Sequence, residues 1–235
     1  MWQFDTRFNN IITRTTDVKS FWLDTAGKDT DFKSGQFIQL EIVVNGEPVG
    51  HVFSISSTPL DKGYLEFTKR ITASEYSKAL EKINLGDWAR VRGPGGRFTM
   101  PESRQPLAFL SGGIGITPIR SMLRYLYQTQ DDWDIVILYG NRDEQDVVFK
   151  DELDEIGKRL SGVRVEHVLS QASTAWAGRR GLIDSAAIKE LIPNYSQRLF
   201  YISGPPGMVT SLTNQLKALG VMDSQITRDL FTGYD

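Results

Sequence analysis

Gly112, Gly113 and Gly115 lie in one short turn, Gly-Gly-Ile-Gly-Ile-Thr-Pro, directly after the apolar run at 107–111. Glycines let a backbone pass close to a polyanion, and the free N–H groups at the start of a following helix attract its charge. The turn reads as a phosphate cradle; a turn that only tightens a strand-to-helix connection is the plainer alternative. Thr117 adds a hydroxyl at its exit, and Pro118 suits a first helical turn, where a missing N–H costs nothing. A second chemical locus lies at His51, Phe53 and Ser54. Strand alternation puts His51 and Phe53 on one face, so an imidazole and an aromatic ring can address one planar, phosphorylated ligand, with the Ser54 hydroxyl beside them. A half-buried strand with Phe53 in the core is the alternative there.

The elements that must hold these residues fall into two halves with different rhythms. Up to about residue 100, short alternating or apolar runs stand at 21–23, 37–42, 51–55, 64–68 and 88–91. Turn signals such as Asn45-Gly46 and Gly86-Asp87 separate them, and only 74–83 has a helical pattern. This predicts an antiparallel β-barrel or sandwich. From Leu107 strand and helix alternate, with strands at 107–111, 135–139, 163–169, 199–203 and 226–231, and helices near 119–128, 149–160, 185–191 and 206–219. Such alternation builds a doubly wound α/β unit, a parallel sheet with helices on both faces. The polar, proline-bounded segment 101–106 marks the boundary, giving an N-terminal β-barrel domain over 1–103 and a C-terminal α/β domain over 104–235.

Composition narrows the chemistry. The 27 basic and 29 acidic residues are nearly balanced and form no block of like charge that would track a nucleic-acid backbone, so no nucleic-acid partner is expected. Cysteine is absent, which excludes thiolate-held iron–sulfur clusters and a cysteine nucleophile from this sequence. His51 and His167 are the two imidazoles, so no metal site is expected and any redox centre is organic. The first residues lack the apolar core of a signal peptide, and no apolar run approaches the roughly 20 residues that span a bilayer. A soluble, cytoplasmic protein is the expectation.

The strand ending His51-Val52-Phe53-Ser54 resembles the flavin motif R-x-[YF]-S of the ferredoxin-NADP reductase superfamily. Further marks follow in the family's order: Gly35-Gln36-Phe37, the stretch 74–80, Gly93-Pro94-Gly95-Gly96-Arg97-Phe98, the glycine turn at 112–118, Tyr139-Gly140-Asn141-Arg142 and Ser203-Gly204-Pro205-Pro206. The resemblance spans the whole chain and implies a barrel that binds FAD, or FMN, and a second domain that binds NADPH or NADH. It implies hydride transfer between the nicotinamide and the flavin. Electrons then pass to an acceptor such as ferredoxin or flavodoxin, with no iron–sulfur domain in this sequence. A reductase of free flavin and an electron-transfer subunit of a larger complex are the alternatives.

Carried over by position, the resemblance implies that Phe53 packs on the isoalloxazine and Ser54 bonds near its N5. His51 replaces the arginine that normally meets the flavin phosphate, and an imidazole is a weaker anion ligand than a guanidinium. Lys69 and Arg70 match the place of a second basic residue; Ser74 and Ser77 resemble the pyrophosphate site, where Ser74 alternatively serves only as a helix cap. Gly112, Gly113, Gly115 and Thr117 are implied for the nicotinamide dinucleotide, closed by Ser203, Gly204 and Pro205, with serine where relatives carry cysteine. Asp229 matches the family's closing carboxylate, implied to assist proton delivery, and Phe231, or Tyr234, the aromatic covering the flavin. Arg142, followed by Asp143 and Glu144, leaves NADPH and NADH open, with Arg142, Arg179 and Arg180 tilting the reading toward NADPH.

Overall fold

The structure, a computed structural model, describes residues 1–231. Its chain divides into two units, the first of which comprises Met1–Met100 together with Thr117–Tyr125. The strands of this unit are β1 (Trp2–Thr13), β2 (Val18–Asp24), β3 (Phe37–Val44), β4 (Glu47–Ser54), β5 (Tyr64–Arg70) and β6 (Trp88–Gly95), with α1 (Glu75–Glu81) before the last. They form a six-stranded antiparallel sheet in the order β4-β3-β6-β1-β2-β5. A bridge from Ile55, just past β4, to Phe67 in β5 curls the two ends of the sheet together. Inward-facing Phe8, Phe21, Ile38, Leu40, Ile55 and Phe67 fill the core at 1% exposure or less.

β1 is the longest strand, and the sequence pattern does not announce it. Its first half pairs with β6 and its second half with β2, with an irregularity between Phe8 and Asn10. A bulge of this kind re-aims the strand and breaks the two-residue period on which recognition depends. Buried Thr6 further blurs the pattern, its hydroxyl donating to the Asp24 carbonyl at 2.5 Å.

The first half of α2 (Ile116–Thr129) packs within the first unit, whereas the sequence pattern assigns it to the second domain. Charge explains this. Arg120, fully buried, donates to the Ser56 carbonyl at 2.9 Å and pairs with buried Glu66 at 3.0 Å, which also receives Arg14 at 3.0 Å. Burial pushes the Glu66 carboxyl up, and the Arg120 and Arg14 guanidiniums outweigh it and hold the group below its ordinary value. Ser121 donates to the Ser57 carbonyl at 2.6 Å, and Arg124 pairs with Asp61 at 3.2 Å.

The second unit comprises Pro101–Ile116 and the chain from Leu126 on. It holds β7 (Leu107–Gly112), β8 (Ile135–Asn141), α3 (Lys150–Arg159), β9 (Val163–Leu169), β10 (Arg179–Arg180), α4 (Ser185–Leu191), β11 (Leu199–Gly204), α5 (Pro206–Ala218) and β12 (Ile226–Leu230). All pairings are parallel, in the order β10-β9-β8-β7-β11-β12. Alternate residues Ala108, Leu110, Val136, Leu138, Phe200 and Ile202 form a core with α4 and α5 on one face. The opposite face carries α3, whose Asp154 bonds His167 of β9 at 2.7 Å. Because β8 and β9 lie to one side of β7 and β11 and β12 to the other, the strand order reverses between β7 and β11. In open α/β sheets that reversal is where ligands bind, beyond the carboxyl ends of the strands. No helix among the described residues is long and apolar enough to cross a membrane.

Candidate functional site

In the first unit, β4 carries three of the singled-out residues in a row. His51, Phe53 and Ser54 pair in register with Leu40, Ile38 and Phe37 of β3. The Phe53 ring lies 4.8 Å from Phe67 and 5.9 Å from Tyr76, and the His51 ring lies 4.2 Å from Tyr76. Tyr76 reaches them from α1, fixed by its hydroxyl on the Leu40 carbonyl at 3.0 Å. Phe53 keeps part of its ring open to solvent, as does Ser54, and His51 is exposed. This is an aromatic surface, open on one side, with a hydroxyl at its edge.

The basic groups near this surface differ in kind. Lys69 is buried, donates to the Arg70 carbonyl at 3.2 Å, and has its ammonium pKa lowered by burial. Partial loss of solvent on the side facing Tyr76, and then the Lys69 charge, lower the His51 pKa, so its imidazole is neutral at physiological pH. Arg70, which the resemblance places with Lys69 as a second basic residue, has its guanidinium on the Asp17 carboxylate. At α1, Ser74 is the N-cap, accepting from the Ser77 N–H at 3.3 Å, while the buried Ser77 hydroxyl lies 3.1 Å from Ser74 Oγ and 3.0 Å from Thr72 Oγ1. Thr72, absent from the sequence reading, completes this hydroxyl cluster.

In the second unit the glycine turn is a single turn of 3-10 helix, Gly113–Gly115, leading into α2. Gly113 has φ +53°, and a Cβ on Gly115 would stand 2.3 Å from the Ser203 carbonyl oxygen and 2.6 Å from Gly204 Cα. No side chain fits there, because two stretches of backbone close on each other where the strand order reverses. The Tyr139 hydroxyl donates to the Gly113 carbonyl at 3.0 Å, so the turn is held from below. Thr117, in the first turn of α2 and so the first residue of the segment grouped with the first unit, is buried.

Register brings a polar row across the ends of the strands: His167, Tyr139, Ser111, Ser203 and Asp229 are successive neighbours on β9, β8, β7, β11 and β12. Alternation turns all five away from the α4–α5 core. The hydroxyls of Ser111 and Ser203 are buried without a hydrogen-bond partner. Such groups cost stability unless something satisfies them, which marks a polar site able to take a ligand donor or acceptor. Asp229 is half-buried, and burial pushes its carboxyl up to about 6. The Phe231 N–H donates to the Gly204 carbonyl at 3.1 Å, which places Phe231 next to Gly204; Pro205 is exposed at the start of α5. Tyr234 lies outside the described residues.

At the outer end of β8, where the sequence leaves NADPH and NADH open, the arginines are each engaged. The Arg142 guanidinium stands 3.2 Å from Asp143 and 3.1 Å from Asp146. Arg179 is held by Glu190, and Arg180 donates to the carbonyls of Ala172, Ser173, Thr174 and Trp176 of its own loop. Asn141, with both amide atoms buried and unpartnered, has no role of its own in the sequence reading beyond its place in the Tyr139–Arg142 mark, and Ser111 none beyond its strand. Both stand at strand ends where the pattern registers only strand. Among the described residues no cluster of three His, Asp or Glu side chains could hold a metal.

Residues 6–100 match the family model for an oxidoreductase FAD-binding domain, and residues 109–214 that for an oxidoreductase NAD-binding domain. The chain is 32% identical over 182 residues to ferredoxin–NADP reductase B of Sorangium cellulosum, covering 77% of this chain and 72% of that protein. It is 29% identical over 228 residues to the glycine betaine monooxygenase reductase subunit of Pseudomonas aeruginosa, covering 94% of this chain. It spans only 62% of that relative's length. The fold is shared with a ferredoxin NADP+ reductase from Neisseria gonorrhoeae with bound FAD and NADP, at a TM-score of 0.84 and 20% identity, covering 97% of this chain and 98% of that one.

Proposed function

The chain belongs to the FAD- and NAD-binding oxidoreductases of the ferredoxin–NADP reductase superfamily, and on that premise we propose that it takes hydride from NAD(P)H onto FAD and passes the electrons to an acceptor such as ferredoxin or flavodoxin. The two bound nucleotides supply the redox chemistry, and the protein supplies binding and orientation. Phe53 packs on the isoalloxazine and Ser54 bonds its edge. Lys69, Ser74 and Ser77, with His51 as a neutral hydrogen-bonding group, meet the flavin's phosphorylated tail. Backbone N–H groups of the turn at Gly112, Gly113 and Gly115 receive the dinucleotide's pyrophosphate, with Thr117, Gly204 and Pro205 beside it. Ser203 offers its unpartnered hydroxyl to the nicotinamide. The carboxyl of Asp229 holds a proton up to about pH 6 and releases it above.

The observation that carries this reading is the closure of Gly115 on the Ser203 carbonyl at the strand reversal, with the Ser111 and Ser203 hydroxyls left unpartnered there. Titration of the protein with FAD, and separately with ADP-ribose, tests it. Two independent saturable sites support the reading, and failure to bind either nucleotide removes it.

The chemistry around His51 favours a second reading, in which flavin is a released substrate. The imidazole is neutral and Arg70 is held by Asp17, so of the three basic groups read for the flavin phosphate Lys69 carries the charge, its own pKa lowered by burial. Gel filtration separates the two: flavin that elutes with the protein supports a bound cofactor, while colourless protein with saturable flavin kinetics supports a free-flavin reductase. Likeness to an oxygenase reductase subunit supports a variant in which the acceptor belongs to a larger complex, and co-purification of an acceptor protein tests it.

A further inference from the structure

Beyond Asn141 at the end of β8, the chain enters a single turn of 3-10 helix, Glu144–Asp146. Asp143 caps this turn, its Oδ1 accepting from the N–H groups of Gln145 at 3.0 Å and Asp146 at 3.2 Å. Its Oδ2 accepts from Arg142 Nε at 3.2 Å, and the same nitrogen stands 3.1 Å from Asp146 Oδ2. Glu144 accepts from the Ser173 N–H at 3.0 Å and hydroxyl at 2.6 Å, which ties the following loop to the turn and lowers the Glu144 pKa. Residues 142–146 thus set one guanidinium against three carboxylates, an excess of two negative charges.

β8 is the second strand of a doubly wound sheet, and the end of that strand is where such sheets meet the adenosine ribose. A carboxylate there accepts a hydrogen bond from a 2′-hydroxyl, whereas a 2′-phosphate needs a guanidinium free to fork onto it. Arg142 lies between Asp143 and Asp146, Arg179 is held by Glu190, and Arg180 serves four carbonyls of its loop. Arg142 meets both carboxylates through Nε, so a phosphate dianion forking onto its terminal nitrogens would stand against the excess negative charge of this turn. Next to Arg142, the Asn141 amide is buried with both its nitrogen and its oxygen unpartnered, an arrangement that a ligand hydroxyl relieves.

We propose that the second unit selects NADH over NADPH, with Asp143 and Asp146 accepting the ribose 2′-hydroxyl and repelling a 2′-phosphate. This rests on the reading that the unit binds a nicotinamide dinucleotide. It reverses the tilt toward NADPH that the three arginines suggest in the sequence, because each of those guanidiniums has a partner in the fold.

Calorimetric titration of the whole protein with ADP-ribose and with 2′-phospho-ADP-ribose reads this without turnover. At low ionic strength ADP-ribose is expected to bind at least about tenfold more tightly, because a 2′-phosphate dianion meets the net negative charge of residues 142–146 within a single side chain's reach. The ratio should shrink as salt is raised, and shrink at low salt in the double variant Asp143→Asn/Asp146→Asn, which keeps the amide oxygen of the cap. Equal or tighter binding of the 2′-phosphorylated ligand overturns the inference and leaves the dinucleotide site standing. A ratio unmoved by salt in the native protein also overturns it. Binding of neither ligand overturns the dinucleotide reading itself.

Discussion

Replacing Asp229 with asparagine isolates the electrostatics of the polar row. The carboxyl sits on β12 opposite Ser203, with no cation paired to it among the described residues, and burial pushes it from 3.8 to about 6. The folded protein therefore holds this proton more tightly than the unfolded chain. Its contribution to stability is complete below the unfolded value, and is lost as pH rises through about 6. At about 1.4 kcal/mol per unit, the loss is on the order of 2–3 kcal/mol. Asparagine cannot ionise, so Asp229→Asn removes this dependence. Between pH 4 and pH 7.5 the variant should gain on the native protein by about 2–3 kcal/mol, which for a chain of this size is a relative shift of roughly 4–10 °C in melting midpoint. Thermal and urea melts of both proteins across that range give the difference directly. A difference that stays constant with pH to within about 0.5 kcal/mol refutes the reasoning, because the carboxyl would then titrate as an exposed group.

Three other substitutions probe separate parts of the account. Phe53→Ala should weaken FAD binding at least about tenfold while leaving ADP-ribose binding within about twofold, as measured by fluorescence and calorimetric titration; equal losses would contradict the assignment of the aromatic surface. Gly115→Ala forces a methyl into the Ser203 backbone and should cost about 1–3 kcal/mol in urea melts while impairing ADP-ribose binding; native behaviour in both would remove the argument from close approach. Arg120→Met leaves the buried Glu66 carboxylate with Arg14 as its one remaining guanidinium and should cost about 2–3 kcal/mol, with Arg120→Met/Glu66→Gln recovering part of it. A loss below about 1 kcal/mol, the scale of a surface pair, would show that the network is solvated.

The parallel-sheet unit was legible because its strands are apolar throughout and its glycine turn sits at a strand end. Every residue of β7 is buried, and so are the first five of β8. The sequence pattern starts α2 late, at Ile119 rather than Ile116, because glycines that carry no helical signal form the 3-10 turn leading into it. β1 escaped because its bulge interrupts the alternation. The arginines show a more general limit. Arg70 and Asp17 are 53 residues apart, and Arg179 and Glu190 are 11, so spacing reveals a cation and not its partner. Tyr76 escaped for a related reason: Ser74 and Ser77 explain the start of α1 so well that its buried aromatic reads as core, and only the fold shows its ring against His51. The register row from His167 to Asp229 draws on five strands and has no counterpart in sequence spacing.

Anaerobic mixing of the FAD-loaded protein with NADH, and separately with NADPH, while following flavin absorbance, tests the central claim most directly. The account predicts rapid bleaching with NADH and a weaker response to NADPH at equal concentration. Flavin that stays oxidised with both donors would contradict it.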